Sequence, residues 1–182
     1  MAGTVDVLRQ ISHRPFVKYP VLVPNLKGLD NLVAVLEEAE ADSHATQPLT
    51  DEIAVFVAAS ESFSKANINC GIAESLERLV PVMRLANFKR LRVRGYVSTV
   101  ITCPYEGAID PAKVAEIAHV LESLGCYEIS LGDTVGTGTP KTVEAMLNAV
   151  MQKVKVEKLA VSIFYFDLRN LCSIVYILGS CK

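Results

Sequence analysis

Pro111-Ala-Lys-Val-Ala-Glu-Ile-Ala-His-Val-Leu-Glu-Ser-Leu-Gly-Cys-Tyr-Glu-Ile-Ser-Leu-Gly-Asp-Thr134 holds a helix, its stop signal and a buried strand in one continuous stretch. Val114, Ile117, Ala118, Leu121 and Leu124 recur at helical period and put one apolar stripe on one face. Asp110 with Pro111 supplies an N-cap and first-turn pair, and Gly125 ends the helix. The run Tyr127 to Leu131 then reads as a strand, followed by Gly132 and Asp133.

The same alternation extends outward in both directions. Short β-branched runs at Tyr19 to Val23, Ile53 to Ala59, Leu91 to Val97 and Leu159 to Phe166 read as further strands. Between them, helical stripes fall on Leu29, Leu32, Val33 and Leu36, on Ile72, Leu76, Leu79, Val80 and Met83, and on Val143, Met146, Leu147 and Val150. Thr139 with Pro140 is a second capping pair. Strand and helix repeat every 30 to 40 residues or so, which predicts βα units around a parallel sheet. An α/β doubly wound sheet and a (β/α)₈ TIM barrel both fit that pattern, although a barrel typically takes about 250 residues. Only about five βα units are readable.

Bulk properties narrow the function classes. The 182 residues are 51% hydrophobic and 21% charged, which suits one domain with a substantial core. A net charge of −2 with scattered Lys and Arg argues against nucleic acid or an anionic membrane as partner. The odd cysteine set, at 70, 103, 126, 172 and 181, contains no C-x-x-C pair and suits a reducing compartment. Met1 to Gln10 has neither an apolar core nor an Arg-rich, acid-free stretch, so no targeting segment is expected. Leu159 to Leu178 is apolar, but Asp167, Arg169 and Asn170 interrupt it, against a membrane span.

Polar residues gather where strands are expected to end: Pro24 and Asn25, Ser60 and Glu61, Arg94, Tyr96 and Ser98, Asp133 and Thr134. In barrels those ends and the loops after them carry the chemistry. Gly132 gives the backbone freedom to aim the Asp133 carboxylate into a barrel mouth, and a loop-capping aspartate is the alternative. Arg94 and Tyr96 share one side of their strand. An inward Arg needs an anion, either a neighbouring carboxylate, as in a structural ion pair, or a substrate. Gly132, Gly136 and Gly138 match no phosphate-binding spacing, and His13, His44 and His119 form no metal pair.

Five runs carry a resemblance: Tyr19-Pro-Val-Leu-Val-Pro-Asn-Leu-Lys-Gly28, Ala59-Ser-Glu with Asn67-Ile-Asn-Cys70, Val93-Arg-Gly-Tyr-Val-Ser98, Cys103-Pro-Tyr-Glu-Gly107 and Gly125 to Thr134. From about Thr4 to Val161 the chain resembles the hydroxymethylglutaryl-CoA lyase family. That resemblance implies a (β/α)₈ barrel cleaving 3-hydroxy-3-methylglutaryl-CoA to acetyl-CoA and acetoacetate with a divalent cation, Mg²⁺ or Mn²⁺. It also implies an acyl-CoA substrate, a homo-oligomer, and a mitochondrial matrix, peroxisomal or cytoplasmic setting. Carried over, Asp133 matches the active-site aspartate, and Thr134 its neighbour. Arg94 and Tyr96 match a strand pair facing the barrel interior, and Asn67 lies in the segment near the acyl-CoA.

The departures from the family pattern are concentrated. No residues here match the segments that supply a catalytic Arg, a metal-binding Asp and a Glu, nor the later Gly-rich loop with its Cys and the metal-binding Asn. Where the family places two metal-binding histidines after Leu159-Ala-Val161, this chain has Ser162 and Phe164. Residues 1–161 therefore read as a partial barrel, third to seventh strands, truncated at both ends, with 162–182 as an unrelated apolar tail. The expectation is a chain that does not bind the metal and is catalytically impaired, with its strand near Tyr19 left as an open edge. A non-catalytic remnant, or a partner of a full-length lyase, is the alternative, and a homocitrate or isopropylmalate synthase relative a further one.

Overall fold

Pro and Asx residues set the breaks in this chain, and β-branched runs between them form the sheet. The computed structural model describes residues 3–14, 17–41, 48–167 and 170–176, with side chains as far as Ser162. In chain order the elements are α1 Thr4–Gln10, β1 Val21–Leu22, α2 Leu26–Glu40, β2 Glu52–Ala58, α3 Glu61–Ile68, α4 Ile72–Phe88 and β3 Arg92–Ser98. A short hairpin, β4 Thr102–Cys103 with β5 Gly107–Ala108, precedes α5 Pro111–Ser123, β6 Glu128–Gly132, α6 Pro140–Met151, β7 Leu159–Asp167 and β8 Asn170–Tyr176.

The main sheet runs β1-β2-β3-β6-β7-β8. Its first five strands are parallel, the α/β arrangement of a partial TIM barrel. Strand β8 is the exception and lies antiparallel to β7, with Asp167 opposite Asn170 and Val161 opposite Tyr176. The five strands expected from sequence are all present. The helices α1 and α3, the hairpin and β8 were not legible, because each is short or lacks an apolar stripe of its own.

Several polar residues at strand ends turn out to be helix caps. The Asn25 side chain accepts from Gly28 N at 2.9 Å, Ser60 Oγ from Phe63 N at 3.0 Å, and Asp110 Oδ1 from Ala112 N at 2.9 Å. Thr139 and Thr142 bond reciprocally at the start of α6. Each cap satisfies N–H groups that the first helical turn leaves open, an effect of about 0.5–2 kcal/mol.

Strand β3 shows the two-sidedness that organises the sheet. Val93, Gly95 and Val97 are buried, while Arg92 is exposed and Arg94, Tyr96 and Ser98 are half-buried. Val55, Ile53, Ile129 and Leu131 are fully buried with Leu121 of α5 in one core. Gly95 lets that helix approach, since a Cβ there would stand 3.2 Å from Leu121 Cδ1 and 3.1 Å from Cys126 Sγ. The sheet ends at β1, which pairs with β2 and leaves Leu22 42% exposed. At the other side β8 pairs with β7. Among the described residues no helix is long and apolar enough to cross a membrane.

Gly95→Ala should destabilise the chain by about 1–3 kcal/mol through overpacking against α5. Thermal unfolding of the variant measures this, and an unchanged Tm would mean the helix can back away from the sheet.

Candidate active site

Asp133 follows β6 and is 1% exposed, although loops surround it. A carboxylate that deep needs donors, and its own loop provides them. Asp133 Oδ1 accepts from Gly136 N at 3.1 Å and Thr137 N at 3.4 Å, and Oδ2 accepts from Gly138 N at 2.7 Å. Gly136 has φ +74°, the left-handed conformation that lets the loop curl around the carboxylate. Gly138 is required for space, because a Cβ there would meet Asp133 Oδ2 at 2.8 Å. The geometry is thus that of the loop-capping aspartate, built at the mouth where strands β2, β3, β6 and β7 end.

Two neighbouring strands lock onto this loop. Asp133 N donates to Ser162 O of β7 at 2.9 Å. Thr99 N donates to Thr134 Oγ1 at 2.9 Å, and Val100 N to Gly132 O at 3.2 Å. Thr99 is β-branched yet has φ +58°, a strained conformation worth about 1–3 kcal/mol that these bonds hold in place. The hairpin beyond it reaches across, with Thr137 Oγ1 donating to Thr102 Oγ1 at 2.8 Å.

On the far side of the mouth, Ser60 Oγ donates to Cys103 Sγ at 2.9 Å, and both residues are buried. Burial opposes ionisation of this thiol, but the Ser60 hydroxyl and the N–H groups of Tyr105 and Glu106 outweigh it and lower the pKa. Asn67 stands exposed in the last turn of α3, the helix that Ser60 caps. Ser60 was placed at a strand end from sequence, whereas Cys103 was not singled out there beyond its own run. The only signal for Cys103 was the Cys-Pro-Tyr-Glu-Gly run itself.

Arg94 is not part of this mouth. It sits in the first half of β3, opposite Ala54 and Glu128, and its guanidinium turns toward the opposite end of the sheet. Nε and Nη2 donate to Tyr127 Oη at 3.1 and 2.9 Å, Nε lies 3.2 Å from Glu52 Oε1, and Nη1 lies 3.3 Å from Glu128 Oε1. Tyr127 Oη in turn donates to Glu52 Oε1 at 2.6 Å, and Glu52 is fully buried. The anion that an inward Arg requires is therefore Glu52, backed by Glu128. Desolvation works against the Arg94 charge, but Tyr127 and Glu128 raise its pKa. Tyr96 shares the Arg94 face one pleat nearer the mouth, opposite Phe56 and Ser130.

The groups present at the mouth do not suit a divalent cation. Both Asp133 oxygens already accept backbone N–H groups, and the neighbour on β7 is the uncharged Ser162. Among the described residues no three His, Cys, Asp or Glu side chains gather as a metal site. His13 packs on Tyr19 and His119 lies 3.9 Å from Glu122 on α5, while His44 is outside the described residues. The Phe164 side chain is outside them too.

Set beside known proteins, the chain matches the HMGL-like family model over residues 12–169. The chain belongs to the HMGL-like family. It is 50% identical over 161 residues to the mitochondrial hydroxymethylglutaryl-CoA lyase of Bos taurus, covering 88% of this chain and 46% of that one. It is 52% identical over 161 residues to the cytoplasmic 3-hydroxy-3-methylglutaryl-CoA lyase of Rattus norvegicus, covering 88% and 43%. The crystal structure of the HMG-CoA lyase from Brucella melitensis superposes with TM-score 0.80 at 48% identity, covering 90% of this chain and 53% of that one. The chain thus spans about half the length of the family members it matches. Those family members are carbon–carbon lyases.

The buried cluster makes a pH prediction. Burial, then the Glu52 hydrogen bond, pushes the Tyr127 phenol up from 10.0 to about 12. A raised folded-state pKa favours the protonated form, so its stabilisation is complete below pH 10.0 and is lost as pH rises toward about 12. Phenolate absorbance during alkaline titration should show a late-ionising component that disappears in Tyr127→Phe. A Tyr127 that titrates with the exposed tyrosines would contradict the cluster.

Proposed function

We propose that this chain is a third-to-seventh-strand portion of a hydroxymethylglutaryl-CoA lyase barrel that binds an acyl-CoA at the C-terminal ends of its strands. The family reaction is cleavage of 3-hydroxy-3-methylglutaryl-CoA to acetyl-CoA and acetoacetate, in which a base takes the 3-hydroxyl proton and the carbon–carbon bond breaks to an enolate. Asp133 is the residue we assign to that chemistry, with Thr134 and Asn67 nearest the substrate and Arg94 with Tyr96 shaping the barrel interior. The assignment rests on the similarity to lyases over 88% of the chain.

The same reading holds that the chain by itself is impaired in the cleavage step. In the family a divalent cation supplies Lewis acidity toward the hydroxyl and carboxylate oxygens. The single observation that carries the impairment is the Asp133 carboxylate, spent on three N–H groups of its own loop beside a neutral Ser162. Open-site metal catalysis usually uses about three protein ligands. We place the end of the family-like portion near Val161, although the family model runs to residue 169 and strand direction reverses only at β8. The mitochondrial and cytoplasmic relatives make either setting a reasonable home.

A second reading, a non-catalytic partner of a full-length lyase, draws on the β1 edge. Val5, Val7, Ile11 and Leu22 are exposed around it, an apolar surface of the kind that marks association.

Acetoacetate release from 3-hydroxy-3-methylglutaryl-CoA, with Mg²⁺ or Mn²⁺, tests the first reading. The purified chain and its Asp133→Ala variant should both stay at background. Turnover in the chain that vanishes in the variant would show a working site and overturn the impairment.

A further inference from the structure

Helix α3 has almost no hold on the apolar core. It is eight residues long, and its one fully buried residue is Ser64, whose hydroxyl finds no partner among the described residues. Helices of that length are marginal without tertiary support. Glu61 ties α3 to the start of α4 by accepting from Ile72 N at 3.2 Å, and further support comes from the β4–β5 hairpin. Glu106 Oε1 accepts from Ser62 N at 2.7 Å, Cys103 Sγ accepts from Ser60 Oγ, and the Tyr105 ring stands 6.4 Å from that of Phe63. The other side of the same hairpin is bonded to the Asp133 loop through Thr102 and Thr137. One strap therefore joins both walls of the mouth.

Glu106 differs from the other contacts because it gives an open N–H of the first helical turn an acceptor, to which its charge adds. Its carboxylate sits on the first turn of α3, where free N–H groups and the helix dipole favour an anion. The Ser62 amide draws its pKa below the usual carboxylate value, consistent with that placement.

We propose that Glu106 is a positioning residue for acyl-CoA: by fastening the hairpin to the start of α3, it holds Asn67 and the Asp133 loop toward one mouth. The inference rests on the acyl-CoA reading above.

Coenzyme A titrated calorimetrically into the full chain and into Glu106→Ala and Glu106→Gln tests it, with amide hydrogen exchange followed over residues 62–69. Glu106→Ala should weaken coenzyme A by about fivefold, the scale of one lost helix cap, and speed exchange in α3 without lowering Tm. Glu106→Gln keeps a carbonyl acceptor and should restore most of the affinity. Unchanged affinity in Glu106→Ala, or equal loss in both variants, would overturn the role of Glu106 and leave the acyl-CoA reading standing. A fall in Tm that accounts for the weaker binding would assign Glu106 to general stability and overturn it too. No binding of coenzyme A by the unaltered chain would overturn both.

Discussion

The parallel register of β2, β3 and β6 is the constraint from which the rest follows. It sets Ala54, Arg94 and Glu128 in one row and Glu52 beside Arg92 in the row below. Glu52 is thereby carried into a fully buried position, where a lone carboxylate would be prohibitive. Arg94 and Tyr127 engage its Oε1, while Oε2 has no partner among the described residues, and a slip of one residue would send Arg94 into the helix layer and Val93 to the opposite face. Breaking such a pair by removing one partner is strongly destabilising, whereas the intact pair adds little net stability. With that row fixed, Gly132 and Asp133 arrive at the strand ends next to Ser98, Thr99 and Ser162.

The mouth is then assembled by loops more than by strands. The strained Thr99 donates its N–H to Thr134 Oγ1, Asp133 accepts from its own loop, and the hairpin joins that loop to α3. Such an arrangement is preorganised without being apolar. It also places Asp133 under a restraint. A carboxylate that holds its loop closed cannot turn outward without opening three hydrogen bonds, each worth about 1.5–3 kcal/mol when one partner is charged.

Much of this was legible in the sequence. Helical stripes and β-branched runs located the five parallel strands and four long helices, because each buries a continuous apolar face. Asp133 and its loop-capping alternative could both be named from Gly132-Asp-Thr and the glycines after it. Arg94 could be read as needing an anion, but the partner could not be named. Glu52 lies forty-two positions earlier, and only the β2–β3 register brings the two together. The hairpin, α3 and the Glu106 fastening were illegible for a similar reason. They are held by single polar contacts between distant residues, and no periodicity records those. Strand β8 was also missed, since an apolar run alone does not show which edge it will cover.

Binding of Mn²⁺ to the chain, followed by electron paramagnetic resonance, tests most directly whether the Asp133 carboxylate belongs to its loop and not to a metal. The geometry at Asp133 and Ser162 predicts free Mn²⁺ throughout, with the same signal for Asp133→Ala. A saturable, stoichiometric Mn²⁺ site that is lost in Asp133→Ala would contradict the account.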